Sequence, residues 1–289
     1  MSGIDPRPPL LLKVGLQIAT GLTRVLGPAR YPLANAIGTL GYATAGSRRR
    51  NAVRNHRRME PGIPAAEARR RARASFRAVA RSGVDFVWAC GLSAPATRRH
   101  GRWVPDGRDA ELRDPPHGGI FALTHFGNWD MAANIAFSGG LLLTTVMATT
   151  GPRAITDLVV WARRANQMEV FEASHAAMGL IHAIRRRRYV AILCDLPESG
   201  PTVTVDYCGG PVEFSSVPAW LALRTGAPLI PTACWQEGGG YLLQPLPALP
   251  VSEGDDERVL MQRIAAALEP LVRAHPEQWY PFRRIYADE

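Results

Sequence analysis

From about residue 118 onward, short apolar runs rich in β-branched and aromatic residues alternate with segments of helical periodicity. Strands that alternate with helices indicate a mostly parallel central sheet flanked by helices, so the predicted fold class is α/β. The predicted strands are 118–124, 141–148, 169–173, 189–195, 202–208, 229–235 and 241–246. The predicted helices are 128–137, 153–167, 175–187 and 215–225, with a last one from about 255 to 273.

The first hundred residues have a different, helical character. Apolar residues recur at helical spacing in 9–26 and 31–45, which is consistent with core helices or with amphipathic helices lying in a membrane interface. Two arginine-rich helical segments follow at 47–58 and 67–88. Such segments are typical of a solvated helix face, and beside an apolar start they also suit docking on anionic lipid headgroups.

The length of 289 residues suits a single α/β domain. The Pro/Gly-rich stretches 104–119 and 197–201 indicate loops rather than linkers between independent domains. We therefore predict one structural domain with two parts: a helical, basic, membrane-docking part at 1–104 and a catalytic α/β core at 105–289.

The net charge of +9 comes almost entirely from arginine, since Lys13 is the single lysine. A GC-rich genome gives the same bias without functional meaning. A basic chain can bind nucleic acid, an anionic membrane surface or acidic substrates. Aromatic residues are sparse in the basic segments and no nucleic-acid-binding module is recognisable, which argues against a nucleic-acid partner.

The four cysteines have no C-x-x-C spacing, so we expect neither structural zinc nor disulfides. No run of about 18 apolar residues occurs, and we expect no transmembrane helix. Arg24 interrupts the apolar N-terminal run, and the N-terminus is not a convincing signal peptide.

The string GGIFALTHFGNWDMA, residues 118–132, contains the strongest chemical signal. His125 follows a predicted strand at its carboxyl end, where ligand sites of α/β sheets lie. Asp130 falls in the first turn of the helix that follows. We predict that Asp130 hydrogen-bonds the imidazole of His125 and so orients it as a general base. A histidine and an aspartate five positions apart also occur together by chance.

Other catalytic patterns are missing from the sequence. No second histidine or cysteine lies near His125, so no metal is expected there. The chain has no G-x-S-x-G, G-x-x-x-x-G-K-[ST] or G-x-G-x-x-G. A histidine base without a protein nucleophile suits direct transfer from an activated donor to a hydroxyl or an amine.

HFGNWDMA also resembles the His-four-residue-Asp/Glu motif of the bacterial lipid A late acyltransferase family, most closely its mycobacterial phosphatidylinositol mannoside acyltransferases. Further segments resemble the same family: VVWARRANQMEVF (159–171), RRRRYVAILCD (185–195), VDYCGGPVEFSSVPAWLALRTGAPLIP (205–231) and HPEQWYPFRRIY (275–286). The resemblance covers roughly residues 105–286.

This resemblance implies a glycerophospholipid-acyltransferase-like α/β fold and an acyl thioester donor, acyl-CoA or acyl-ACP, with no bound cofactor. It implies that His125 deprotonates the acceptor hydroxyl while Asp130 orients it. Backbone N–H groups of Gly127 and Asn128 are the candidate donors to the oxyanion of the tetrahedral intermediate.

Three further residues are implied to bind substrate. Arg163 would bind a phosphate of the donor or acceptor. Asp195, followed closely by Glu198, would hydrogen-bond the polyol of the acceptor, unless Asp195 is only a helix or loop cap. The family's A-E-R is Met147–Thr149 here, and its D-R-D is 195–197; these departures put the acceptor in question.

The expected protein is a peripheral enzyme at the cytoplasmic face of the plasma membrane that transfers a fatty acyl chain to a hydroxyl of a glycolipid or phosphoglycolipid. Two alternatives stay open. The acceptor could be a small soluble hydroxyl or amine compound. The chain could also be a non-catalytic membrane- or lipid-binding protein with the same fold, although the His125/Asp130 pair argues against this.

Overall fold

The computed structural model describes residues 3–113, 118–148, 151–173 and 176–288. The helices are α1 (Leu10–Leu26), α2 (Arg30–Thr44), α3 (Gly46–Met59), α4 (Ala65–Trp88), α5 (Ala94–His100), α6 (Arg108–Arg113), α7 (Trp129–Ser138), α8 (Arg153–Ala165), α9 (Ala177–Arg185), α10 (Val217–Thr225) and α11 (Glu257–Ala274). The strands are β1 (Gly101–Trp103), β2 (Gly119–Leu123), β3 (Leu143–Met147), β4 (Glu169–Glu172), β5 (Tyr189–Leu193), β6 (Thr202–Asp206), β7 (Pro211–Ser215), β8 (Leu229–Glu237) and β9 (Gly240–Pro245).

Seven of these strands form one sheet in the order β1-β9-β8-β2-β5-β3-β4. All neighbours are parallel except β8 and β9, which form an antiparallel hairpin. With helices packed against it, this mixed but mostly parallel sheet confirms the α/β fold class. Chain order and sheet order differ, because β5 lies between β2 and β3.

Two strands correct the predicted pattern. The predicted strand at 202–208 is not part of the central sheet: β6 pairs antiparallel with β7 in a separate hairpin, and β7 was not predicted. The short strand β1 was also not predicted; it pairs with β9 and lies before residue 105. A three-residue strand such as β1 is too short to show a period-2 pattern, and β7 begins with a proline directly after two glycines, a combination that indicates a turn.

Strand β2 lies at the centre of the core. All five of its residues are buried. Ile120 and Ala122 join the hydrophobic cluster on one face of the sheet, and Phe121 and Leu123 join the cluster on the other. Because both faces of a central parallel strand are buried, polar residues do not alternate with apolar ones along it, and its sequence is continuously apolar.

Helix α4 is the centre of the N-terminal part, with α2 running antiparallel along it. Asn35 accepts a hydrogen bond from Arg81 (2.7 Å), and Thr39 accepts one from Arg77 (2.9 Å). Between these contacts, Gly38 lets the backbones approach so closely that a Cβ there would collide with the backbone of Arg77. This packing buries one face of α2 and leaves the other in solvent.

Exposed apolar side chains are concentrated on α1 and α2. Among the described residues, ten of the fifteen exposed large apolar residues lie between Leu10 and Leu40, and Val25 is 88% exposed. The run Leu10–Thr44 is long and apolar enough to cross a membrane, and only 11% of its most apolar window is buried. Gly27 breaks the run between α1 and α2 with a φ of 52°. The expected lack of a transmembrane helix therefore stays a prediction.

Candidate active site

The turn after β2 has a backbone that only glycine permits at position 127. Gly127 has a φ of 64°, and a Cβ there would overlap the carbonyl oxygen of Cys234. Asn128 then caps α7, because its side-chain oxygen accepts a hydrogen bond from the N–H of Met131 at 3.0 Å. The turn thus carries the chain from β2 into α7 with His125 held before it.

His125 hydrogen-bonds Asp195. Its Nδ1 lies 2.8 Å from Oδ1 of Asp195, and its backbone N–H donates to the same carboxylate at 2.9 and 3.0 Å. The register of the sheet explains this contact. Strands β2 and β5 pair in parallel with Leu123 opposite Leu193, so the residues two positions beyond each strand lie opposite one another.

The Asp195 carboxylate is only 5% exposed, whereas His125 is 25% exposed. An ionised carboxylate can only accept hydrogen bonds, so Nδ1 of the imidazole bears the proton in this contact. Nε2 is then the basic nitrogen. The ring is also packed edge-on against Trp129, with the ring centres 5.1 Å apart.

Asp130 binds Arg163 instead of His125. The Asp130 carboxylate accepts from Nε of Arg163 at 2.9 Å and from Nη2 at 3.4 Å. Both side chains are mostly buried, at 17% and 14% exposure. Asp130 lies in the first turn of α7, where it also complements the helix dipole, and the ion pair ties α7 to α8.

These contacts correct three sequence predictions. Asp195, rather than Asp130, contacts the imidazole, and Asp195 is therefore turned toward His125 instead of standing free for an acceptor polyol. The N–H groups of Gly127 and Asn128 already donate to the carbonyls of Gln278 and Cys234, each at 2.8 Å, and so are not available to an oxyanion. Arg163 as a phosphate ligand stays a prediction, although Asp130 already occupies two of its nitrogens.

A buried polar network, which the sequence did not predict, supports the turn from α4. Asp85 is fully buried and binds Arg30 (2.8 Å) and the hydroxyl of Tyr241. That hydroxyl in turn accepts from the side chain of Asn128 at 3.3 Å. Ser82, also on α4, donates to the Gly127 carbonyl at 3.2 Å. Helices of the N-terminal part are thereby joined to the turn that follows His125.

His125 lies at the polar end of a cavity of about 900 Å³, called here the apolar cavity. The volume is within the range of about 300–1,000 Å³ that is usual for small-molecule sites. Asp130, Arg163, Glu198 and Arg283 are the other charged groups on its wall, and Glu198 binds Arg283. Most of the remaining wall is apolar and comes from β2, β3, β5, α7 and α9.

Neither a metal nor a cysteine nucleophile is suggested by the site. Among the described residues, no group of three or more His, Cys, Asp or Glu side chains could hold a metal ion. Cys194 neighbours Asp195 but is completely buried, and burial raises the pKa of its thiol well above the ordinary value. The thiol therefore stays protonated and weakly nucleophilic.

Comparison with known proteins identifies one matching family and several related acyltransferases. A family model described as bacterial lipid A biosynthesis acyltransferase matches residues 14–287. A phosphatidylinositol mannoside acyltransferase of Mycobacterium tuberculosis (strain ATCC 25618 / H37Rv) is 32% identical over 167 residues, which cover 56% of this chain and 52% of the relative. One of Mycolicibacterium smegmatis is 30% identical over 173 residues, covering 58% and 56%. The chain thus spans about half the length of these relatives.

Proposed function

The chain belongs to the bacterial lipid A biosynthesis acyltransferase family, as its motifs predicted, and from this premise we propose that it transfers a fatty acyl group from an acyl thioester to a hydroxyl of a glycolipid. The donor is acyl-CoA or acyl-ACP. The relatives' names motivate a phosphatidylinositol mannoside or a similar phosphoglycolipid as the acceptor.

One observation supports this function above all others: the His125–Asp195 pair lies at the polar end of the apolar cavity. Asp195 stabilises the proton on Nδ1 and leaves Nε2 as the base. A nearby apolar wall suits an acyl chain, and a base without a protein nucleophile suits direct transfer.

In the proposed reaction, Nε2 of His125 takes the proton of the acceptor hydroxyl as its oxygen attacks the thioester carbonyl. The C–O bond forms, and the carbonyl oxygen becomes an oxyanion. Collapse of this intermediate breaks the C–S bond, and the leaving thiolate takes the proton from the imidazolium. Asp195 stabilises the positive charge on His125 while the proton is held there.

The oxyanion needs donors other than Gly127 and Asn128. The first amides of a helix have no carbonyl one turn earlier within the helix to accept their hydrogen bonds. In α7 these are the N–H groups of Trp129 and Asp130, and we assign the oxyanion to them. Arg163 lies on the same wall, where its charge is balanced by Asp130.

We place the acyl chain between α7 and the face of the sheet formed by Phe121 and Leu123. Small side chains of α7, Ala132, Ala133 and Ala136, line this part of the apolar cavity. At 1.5 Å per helical residue, the wall from Trp129 to Ala136 extends about 10 Å away from the polar end. Small residues at this spacing leave room for an alkyl chain along the helix.

For the location, we propose a peripheral position at the cytoplasmic face of the plasma membrane, with the exposed faces of α1 and α2 in the bilayer interface. Ile18, Leu22, Leu33 and Leu40 are each at least 55% exposed and recur at helical spacing. Large exposed apolar surfaces are unusual in soluble proteins. In an enzyme that acts on lipids, such a surface binds the membrane and so brings the active site to the lipid acceptor.

Thiol release from palmitoyl-CoA and from palmitoyl-ACP, each with a lipid extract as acceptor, tests the proposed reaction, with His125→Ala in parallel. We expect acylated glycolipid from the wild type and a loss of about 100- to 10,000-fold in the variant, with unchanged circular dichroism. Equal activity in a folded His125→Ala protein would refute the histidine base. Acylation of small soluble alcohols alone would replace the glycolipid acceptor.

Vesicle co-sedimentation tests the location. We expect Ile18→Asn with Leu22→Asn to release the protein from the membrane, because both side chains lose apolar contact with lipid. Leu223→Asn with Val251→Asn is the matched control, since these side chains are exposed outside α1 and α2. Retention of the α1 variant through alkaline extraction would indicate a spanning helix instead of a peripheral one.

A further inference from the structure

A second cavity, of about 570 Å³, lies between α3 and the start of α4 and is called here the basic cavity. Six arginines line it: Arg49, Arg50, Arg54, Arg57, Arg58 and Arg69. Tyr42, at the end of α2, forms part of its wall and is covered by the guanidinium of Arg49 at 5.7 Å from the ring centre.

The charge of the basic cavity is not balanced by its own wall. None of the described residues that line it is acidic. The acidic side chains nearest in sequence are engaged elsewhere: Glu67 binds Arg70 and Arg71, and Glu60 binds Arg71. One lining arginine, Arg58, contacts the Asp288 carboxylate.

Concentrating guanidinium groups in one concavity is unfavourable unless an anion joins them, and a concave surface focuses their field on that anion. Arginine forks match the geometry of phosphate oxygens, and several forks together satisfy one phosphate group. Val53 and Tyr42 contribute the only apolar groups among the lining residues that are described. The wall therefore favours a compact, polar, phosphate-bearing group over an apolar ligand.

The basic cavity is separate from the catalytic site. Asn51 and Asn55 of α3 hold the C-terminal loop by donating to the carbonyls of Phe282 and Arg283 at 3.1 and 2.8 Å. Arg50 and Arg54 precede each of them by one residue and therefore point about 100° away around the helix. Among the described residues, none of those that line the basic cavity also lines the apolar cavity.

We propose that the basic cavity binds the phosphate of an anionic phospholipid headgroup. This inference rests on the proposed membrane location. Helix α2 supplies Tyr42 to the cavity from its buried side, and on the opposite side it exposes Leu33, Ile37 and Leu40 by 55%, 52% and 64%. With these exposed side chains in the interface, the basic cavity lies behind α2, one helix diameter or roughly 10 Å from them, in the region of the headgroups, where basic pockets bind lipid phosphates.

The test compares two triple variants that lower the net charge by the same amount. The cavity variant is Arg50→Gln, Arg57→Gln and Arg69→Gln, and the control is Arg99→Gln, Arg102→Gln and Arg258→Gln. All six arginines are exposed. Binding of the full chain is measured on phosphatidylcholine vesicles with and without phosphatidylglycerol.

We expect the cavity variant to bind phosphatidylglycerol vesicles about 100-fold more weakly than the wild type, and the control to change by less than about tenfold. Binding to pure phosphatidylcholine should be equal in all three proteins. Equal losses in the two variants would overturn the proposal, because net charge alone would then explain membrane binding.

Titration with glycerol 3-phosphate and with coenzyme A, free of lipid, distinguishes the sources of phosphate. If glycerol 3-phosphate or coenzyme A bound the wild type as tightly as vesicles do, and the cavity variant lost this binding, the proposal that the phosphate comes from a lipid would be overturned. Capture of acyl carrier protein that only the cavity variant loses, with unchanged vesicle binding, would overturn it in favour of an acidic protein. His125→Ala should bind vesicles like the wild type, so this result is independent of whether acyl transfer is observed.

Discussion

The apolar cavity and the basic cavity differ in whether the charged side chains on their walls have partners of opposite charge on the same wall. In the apolar cavity each charged or basic side chain meets a partner: the imidazole of His125 meets Asp195, Arg163 meets Asp130, and Arg283 meets Glu198. In the basic cavity six guanidiniums share one concavity with no lining carboxylate among the described residues. The first arrangement suits chemistry beside an apolar chain, and the second suits capture of an anion from outside.

The arginine content of a region therefore does not by itself indicate whether its arginines form ion pairs or bind an external anion. Buried charges need partners because desolvation is costly, and the partly buried site near α7 meets this requirement. Three arginines of the basic cavity, Arg50, Arg57 and Arg69, are exposed, and water solvates their charge until an anion arrives. Four measurements test this distinction between the two cavities.

The largest effect is expected at Asp195. Asp195→Asn keeps the size of the side chain but removes the negative charge that stabilises a protonated His125. We expect acyl transfer to fall by about 100- to 10,000-fold, with the loss in kcat rather than in KM. Steady-state kinetics with the preferred thioester would measure it. An unchanged kcat in this variant would show that the partner of His125 is not needed.

The second prediction concerns His56, on the buried side of α3 behind the basic cavity. Burial lowers the pKa of His56 to about 4 from the ordinary 6.5, and the positive charge of Arg71 adds to the effect. Between these pH values the unfolded chain binds a proton that the folded chain does not. The free energy of unfolding should therefore decrease from pH 6.5 down to 4, by at most about 3 kcal/mol.

Urea unfolding of the wild type and of His56→Gln across this pH range measures that decrease. The glutamine does not titrate and can still reach Ser75, which lies 3.1 Å from Nε2 of His56. We expect a smaller pH dependence in the variant. Parallel curves for the two proteins would contradict a neutral, buried His56.

Third, Asp130→Asn should reduce stability more than catalysis. The substitution leaves the mostly buried guanidinium of Arg163 without its carboxylate, at a cost of about 2 kcal/mol in the free energy of unfolding. The double variant Asp130→Asn with Arg163→Gln should regain part of that loss, because the unpaired charge is gone. If Asp130→Asn lowered kcat more than Asp195→Asn did, Asp130 would be the functional partner of His125, as the sequence predicted.

The smallest effect is expected on chain-length preference. Ala136→Phe fills the far part of the apolar cavity and should lower kcat/KM for palmitoyl-CoA about tenfold relative to butyryl-CoA. The short donor is the internal control, since its chain does not reach Ala136. Equal losses for both donors would indicate a distorted fold, and no loss for either would place the acyl chain elsewhere.

Much of the local structure follows from sequence pattern alone. Continuous apolar runs predicted β2 and β5, and helical periodicity predicted α7 and α8, each within about two residues of the observed ends. The HFGNWD string predicted a base at a strand end followed by a helix with Asp130 in its first turn. Local propensities and burial on both sheet faces suffice for these predictions because they involve neighbours along the chain.

Sequence patterns and motifs were sufficient to predict the fold class, the family and the position of His125 at a strand end. Which side chains contact His125 depends on the tertiary structure. Strand β5 lies beside β2 although two strands and three helices separate them in the chain, and their register brings residue 195 to residue 125. Five of the six arginines of the basic cavity lie on α3 and are evident in the sequence, but packing of α2 and α4 against α3 adds Tyr42 and Arg69 and makes the surface concave. Strand order and helix packing depend on contacts between distant segments, which no local pattern encodes.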